Sequence, residues 1–388
     1  MNKQIYPLLI AQFLSAFADN AILFTVIALV MHSPDLPTWY VPALQSVFLI
    51  AFVVLAPWIG SFADQHPKSR VLILGNLVKA FGAGLLLFNF EPLIAYCIVG
   101  AGAAIYSPAK YGILPELAGH EQLMKANSWI EGSTILAILT GMVIGAKVAD
   151  YSVTMALSGT IGLFLISAAT TLLLPVKIAT IDPEGSKILL FFKQMKVFFS
   201  SPRSRFSILG ASLFWATAAT LRVIVVAWAP LILLSHNASD IAELTLFLAL
   251  GIIAGSALVP GIIPLEQLQR AKYPAFAMGV FILILSQMDG VWWARLVLFL
   301  IGAAGGMFIV PINAAVQELG QQDIGSGRAV ALQGFFQNAA MLVAVGGYTS
   351  VAALKVSPVS SMLGLGLIVL LCTFLVTRRM GREYGAKK

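Results

Sequence analysis

The stretch AQFLSAFADNAILFTVIALVM, residues 11–31, decides the fold. Its 21 residues match the roughly 20 that an α-helix needs to cross a bilayer, and Asp19 is its one ionisable side chain. A charge at the centre of such a helix costs about 2.5–3.5 kcal/mol on insertion scales. Asp19-Asn20 therefore poses a functional question together with the structural one. The run is too long for the core of a signal peptide and has no small-residue cleavage site, so it is read as part of the mature chain.

The rest of the chain has the same character. Of its 388 residues 59% are hydrophobic and 11% charged, against about 25% charged in a soluble domain. Such a chain cannot cover itself with a hydrated surface, so lipid is its solvent over most of its area. Apolar segments fall near 7–31, 41–62, 71–88, 92–113, 127–149, 153–175, 204–234, 241–263, 272–288, 291–315, 327–354 and 358–377, twelve in all. Cys97 and Cys372 both lie inside these runs, which argues against a disulfide framework.

Basic residues sort by loop. Lys68, Arg70, Lys177, Lys187, Lys193, Lys196, Arg203, Arg205, Arg270, Lys272, Arg328, Arg378 and Arg379 share one side with both tails, while the other side has Lys147 and Lys355 beside several carboxylates. The positive-inside rule then places both termini in the cytoplasm, and Trp39, Trp292 and Trp293 at the outer interface.

The chain also repeats itself. A shift of about 203 residues carries Pro108 onto Pro311, Lys125 onto Arg328 and Asp19 onto Arg222. Half-chain similarity of this kind marks duplicated transporter folds, whose substrate sites lie near the midplane. The expected architecture is an all-α membrane protein of twelve transmembrane helices in two pseudo-symmetric six-helix bundles, 1–175 and 204–388. The connecting stretch 176–203 mixes Phe and Leu with lysines and arginines. It reads equally as an interfacial helix on the cytoplasmic leaflet or as a solvated tether.

Ionisable residues inside a membrane are sites by default. Asp19 and Arg222 lie near the middles of the first and seventh segments and would face one another in a two-fold arrangement. They would hold parts of a headgroup, the guanidinium fork suiting phosphate, or form a permanent ion pair that only fixes helix register. Lys110, toward the cytoplasmic end of the fourth segment, either turns inward beside Pro108 or snorkels to the headgroups. Glu131 is at similar depth and could pair with Lys110, and its structural reading leads. Gln333, Gln337, Asn338 and Asn313 are most simply interhelical hydrogen-bonding groups. Four histidines, all in loops, lack metal-ligand spacing, and no nucleophile–base constellation stands out. Neither enzymatic chemistry nor a metal, cofactor or nucleic-acid partner is expected.

The loop GSFADQHPKSR, residues 60–70, resembles the signature of the major facilitator superfamily, with Gly60, Asp64, Lys68 and Arg70 in place and Pro67 where glycine is usual. That resemblance implies that Asp64 sits against the N-terminus of the eleventh span, near Gly325. The stretches AQFLSAFADNAILF, GAAIYSPAKYGILPEL, SLFWATAATLRVIVVAWAP and GGMFIVPINAAVQE resemble the bacterial lysophospholipid transporter family within that superfamily, and the similarity runs over all twelve segments. The resemblance implies flipping of lysophosphatidylethanolamine and lysophosphatidylglycerol from the outer to the inner leaflet of the cytoplasmic membrane. A cytoplasmic acyltransferase/acyl-carrier-protein synthetase would then restore the second chain. It implies substrate-binding roles for Asp19, Asn20, Lys110 and Arg222. A cytoplasmic gate would be stabilised by Asp64, Lys68, Arg70 and Arg328, the last a departure where the family tends to carry asparagine. The alternative reading is a proton-coupled efflux carrier of amphipathic drugs with Asp19 as proton site.

Overall fold

The computed structural model describes residues 5–31, 40–176, 187–233 and 238–384. Its helices are α1 (Ile5–Met31), α2 (Tyr40–Gln65), α3 (Lys68–Leu87), α4 (Pro92–Gly112), α5 (Leu114–Tyr151) and α6 (Val153–Thr171), then α7 (Lys187–Phe198), then α8 (Pro202–Leu233), α9 (Ala238–Leu258), α10 (Lys272–Leu285), α11 (Val291–Asp323), α12 (Ser326–Ala353) and α13 (Pro358–Tyr384). Among the described residues twelve helical stretches are long and apolar enough to cross a membrane, α10 counting together with the 3-10 turn Leu265–Ala271 before it. Trp39 lies outside the described residues, while Trp292 and Trp293 are strongly exposed.

The chain forms two compact units. The first comprises 1–126, 133–196 and 317–335; the second comprises 127–132, 197–316 and 336–388. In the first, α6 packs on α1 and α3, and α4 packs on α2 and α3. In the second, α13 packs on α8 and α10 in the same relation. The duplication visible in the sequence is therefore repeated in helix packing.

Helices approach closely where the sequence is glycine-rich. Gly251 and Gly255 of α9 meet Gly302 and Gly306 of α11 one turn apart on each. A Cβ at Gly251 would strike the Phe299 carbonyl, and one at Gly302 the Leu248 carbonyl. Without a hydrophobic force between helices in lipid, such backbone contact is what holds them. Gly251→Leu should cost more than the roughly 1–3 kcal/mol of ordinary overpacking, read as a lower melting temperature in detergent. Gly346→Ala, which adds a Cβ in open space, should leave it unchanged.

Backbone breaks fall at the expected residue type. α5 kinks at Gly119 (φ 68°), and Gly325 (φ 96°) separates α11 from α12. Pro108 and Pro311, which coincide in the repeat, sit inside α4 and α11.

The connecting stretch contains α7, and residues 177–186 of that stretch lie outside the described set. Phe191 and Phe198 are buried, Phe191 edge-on to Phe335 with centroids 5.6 Å apart. Ile188, Leu189, Phe192, Lys193, Lys196 and Val197 are exposed together. At 100° per residue these six cover one half of the helix and the two buried phenylalanines the other. One face anchors to protein, and the opposite face interleaves apolar side chains with cations.

Candidate functional site

Gln12, Ser15 and Asp19 recur at spacings of three and four, so α1 presents them on one face. Asn76 and Lys79 do the same on α3. The two faces meet. Lys79 Nζ lies 3.0 Å from both carboxylate oxygens of Asp19, and it also donates to Ser15 Oγ. Ser15 Oγ donates to Asn76 Oδ1 (2.9 Å), Asn76 Nδ2 to Ser167 Oγ (2.8 Å) and Ser167 Oγ to the Ala11 carbonyl (2.6 Å). Every donor in this relay points away from the ammonium, which fixes its direction. The rings of Tyr106 and Phe164 close over the cation at 4.7 and 4.9 Å from their centroids.

Burial divides the pair unequally. The Lys79 side chain is 0% exposed and that of Asp19 23%. The carboxylate is thus the accessible member and the ammonium the sealed one. The sequence reading named Arg222 as the opposite charge for Asp19 and overlooked Lys79; the structure pairs Asp19 with Lys79 inside its own unit. The missed signal was available, since Lys79 is the one ionisable residue within 71–88.

The other candidates are placed as follows. Asn20 donates from Nδ2 to the Ala16 carbonyl (2.8 Å), one turn back on its own helix. Lys110 is buried in α4, its Nζ 4.0 Å from the Tyr111 ring centroid, so it does not snorkel. Arg222 is exposed on α8, and Phe214, one of the aromatics near it in sequence, is buried against Trp215 at 5.3 Å between centroids. Glu131 is buried and accepts from Asn313 Nδ2 at 2.8 Å.

A second polar cluster sits at the turn between α2 and α3. Asp64 is buried and accepts from the backbone N–H groups of Gly327 (2.8 Å) and Arg328 (3.0 Å). These are orphan donors of the first turn of α12, where a carboxylate also meets the positive end of the helix dipole. Lys68 bridges to Glu116 at 2.7 Å and reaches Asp64 at 3.9 Å. Arg328 donates from Nε to Ser61 Oγ (3.3 Å) and from Nη1 to the Ile324 carbonyl (3.1 Å), while Ser326 Oγ donates to the Gly112 carbonyl (3.2 Å). Gly60 is required here because a Cβ would come within 2.8 Å of both Arg328 Cα and Ala331 Cβ. Arg70 stands exposed on the first turn of α3.

Residues 8–345 match the model of the Major Facilitator Superfamily. The chain belongs to that superfamily. Among curated relatives, it is 38% identical over 375 residues to the lysophospholipid transporter LplT of Photorhabdus laumondii, covering 96% of this chain and 94% of the relative. It is also 38% identical over 371 residues to LplT of Escherichia coli K12, covering 94% and 93%. Solved superfamily folds agree. The Escherichia coli fucose:proton symporter FucP superposes with a TM-score of 0.74 at 14% identity, over 96% of this chain and 97% of that one. A bacterial homologue of the iron transporter ferroportin, outward-facing, gives 0.76 at 17% identity over 98% and 100%. Asp64→Ala should weaken the α12 attachment by about 0.5–2 kcal/mol, the usual value of an N-terminal cap. In a background with Cys97 and Cys372 replaced by alanine, a cysteine at buried position 326 should then react roughly 2–30 times faster with a polar maleimide, each 1.36 kcal/mol being tenfold.

Proposed function

We infer that this chain is a lysophospholipid carrier of the bacterial cytoplasmic membrane, moving its substrate from the outer to the inner leaflet by alternating access. The observation that carries the reading is the Asp19 carboxylate, kept accessible at the middle of an apolar span while its counter-ion is sealed behind it. A lysolipid has one acyl chain and a phosphate headgroup, so its carrier needs apolar walls beside a few headgroup-binding charges. The curated relatives named above as lysophospholipid transporters support the substrate class.

Roles follow from side-chain chemistry. Arg222 takes the phosphate, since its fork donates two parallel hydrogen bonds. Asp19 meets an ammonium or hydroxyl headgroup, Asn20 supports that contact, and Lys110 guides the phosphate on the cytoplasmic side. Asp64, Lys68, Arg70 and Arg328 stabilise the gate by holding the start of α12, and Glu131 acts structurally through Asn313. The bundles divide at 1–175 and 204–388, and α7 lies on the anionic leaflet with its mixed apolar and basic face outward. The charge distribution supports cytoplasmic termini. A cytoplasmic acyltransferase/acyl-carrier-protein synthetase is the partner that consumes the flipped lysolipid.

Right-side-out membrane vesicles given labelled lysophosphatidylethanolamine test the reading. Protein-dependent inward movement supports it. Outward movement that a protonophore abolishes would replace it with proton-coupled efflux.

A further inference from the structure

Lys79 cannot touch a passing lipid, yet it determines what Asp19 offers to one. The ammonium contacts both carboxylate oxygens at 3.0 Å and is closed in by Ser15 and by the rings of Tyr106 and Phe164. The Ser15–Asn76–Ser167 relay ends on the backbone of α1, so the nitrogen has one position and the carboxylate one orientation. Gly102 makes the burial possible, because a Cβ there would come within 2.6 Å of Lys79 Cγ. From the accessible side the pair presents carboxylate oxygens that can accept a hydrogen bond but no net charge. An unpaired carboxylate in so apolar a wall would attract an ammonium and repel a headgroup whose only charge is its phosphate, and these effects are strong where water is scarce.

We propose that Lys79 is a positioning residue that cancels the charge of Asp19 and so lets the carrier take zwitterionic and anionic lysolipid headgroups alike. The proposal rests on the lysophospholipid reading. It deepens that reading by giving the cation behind the site a specificity role.

The test is uptake of lysophosphatidylethanolamine and lysophosphatidylglycerol, measured separately at pH 8 in vesicles containing wild type, K79M, K79R, D19N or D19N/K79M. K79M should raise the ratio of ethanolamine to glycerol lipid about tenfold, because the carboxylate then loses its contacting counter-ion and keeps only the weaker field of Lys110. D19N keeps an oxygen acceptor for Lys79 while leaving its charge uncompensated, and should shift the ratio about as far the other way. D19N/K79M and K79R should both return to near the wild-type ratio. If K79M fails to accumulate, the opposite shift in D19N and its reversal in the double variant decide the matter. A ratio that stays at the wild-type value in D19N and K79M, with both substrates falling together, overturns the proposal and leaves Lys79 a purely structural residue. Wild type that moves neither lysolipid overturns the lysophospholipid reading itself.

Discussion

Replacing Arg222 by alanine should lower lysophospholipid transport roughly a hundredfold, since the proposed pair of its guanidinium with the substrate phosphate forms away from water, truncating one partner of such a pair costs about 2–5 kcal/mol, and each 1.36 kcal/mol is tenfold in rate. The side chain is exposed on α8, so its truncation opens no core cavity, and the amount of inserted protein should be unchanged. Arg222→Lys should recover part of the loss. An ammonium supplies the charge but not the planar fork that grips two phosphate oxygens. Headgroup-resolved uptake beside an immunoblot of the membrane fraction separates the two quantities. Full uptake in the alanine variant would remove Arg222 from the site.

Asp19→Ala should be the most destabilising single change in the first unit. It strands the Lys79 ammonium, 0% exposed, among Ser15, Tyr106 and Phe164. Breaking a buried pair from one side costs about 3–5 kcal/mol, whereas replacing both members by apolar groups is often neutral. Asp19→Ala combined with Lys79→Met should therefore recover most of the lost stability, though not transport. Thermal unfolding of the purified variants in detergent reads this coupling. An alanine variant as stable as wild type would show that the pair contributes nothing to the bundle.

What the sequence made legible follows physical lines. The twelve spans could be read because length and apolarity are local properties of each segment. Asp64 could be read because Gly60, Asp64, Lys68 and Arg70 resemble the superfamily signature, which implies that the carboxylate sits against a helix N-terminus, and the structure gives it the N-terminus of α12. Lys79 was legible as a lone cation in an apolar span, but its pairing was not, because Asp19 lies 60 residues away and no opposite charge sits one turn from Lys79 on α3. Only the packing of α3 on α6 and of α6 on α1 brings the two faces together. Glu131 and Asn313 escaped as a pair for the same reason, 182 residues separating them. The two readings of the central stretch could not be separated by composition, since Phe and Lys suit both an interfacial helix and a tether. The burial of Phe191 and Phe198 on one side of α7 supplies the missing information, namely which face is already occupied by protein.

The most direct test uses the purified protein in vesicles otherwise free of protein, with fluorescent lysophosphatidylethanolamine in the outer leaflet. Extraction by added albumin then reports what remains outside. The account predicts that wild type withdraws the lipid from extraction much faster than empty vesicles do, and that Arg222→Ala vesicles behave as empty ones. Wild-type vesicles that keep the label extractable at the protein-free rate would contradict it.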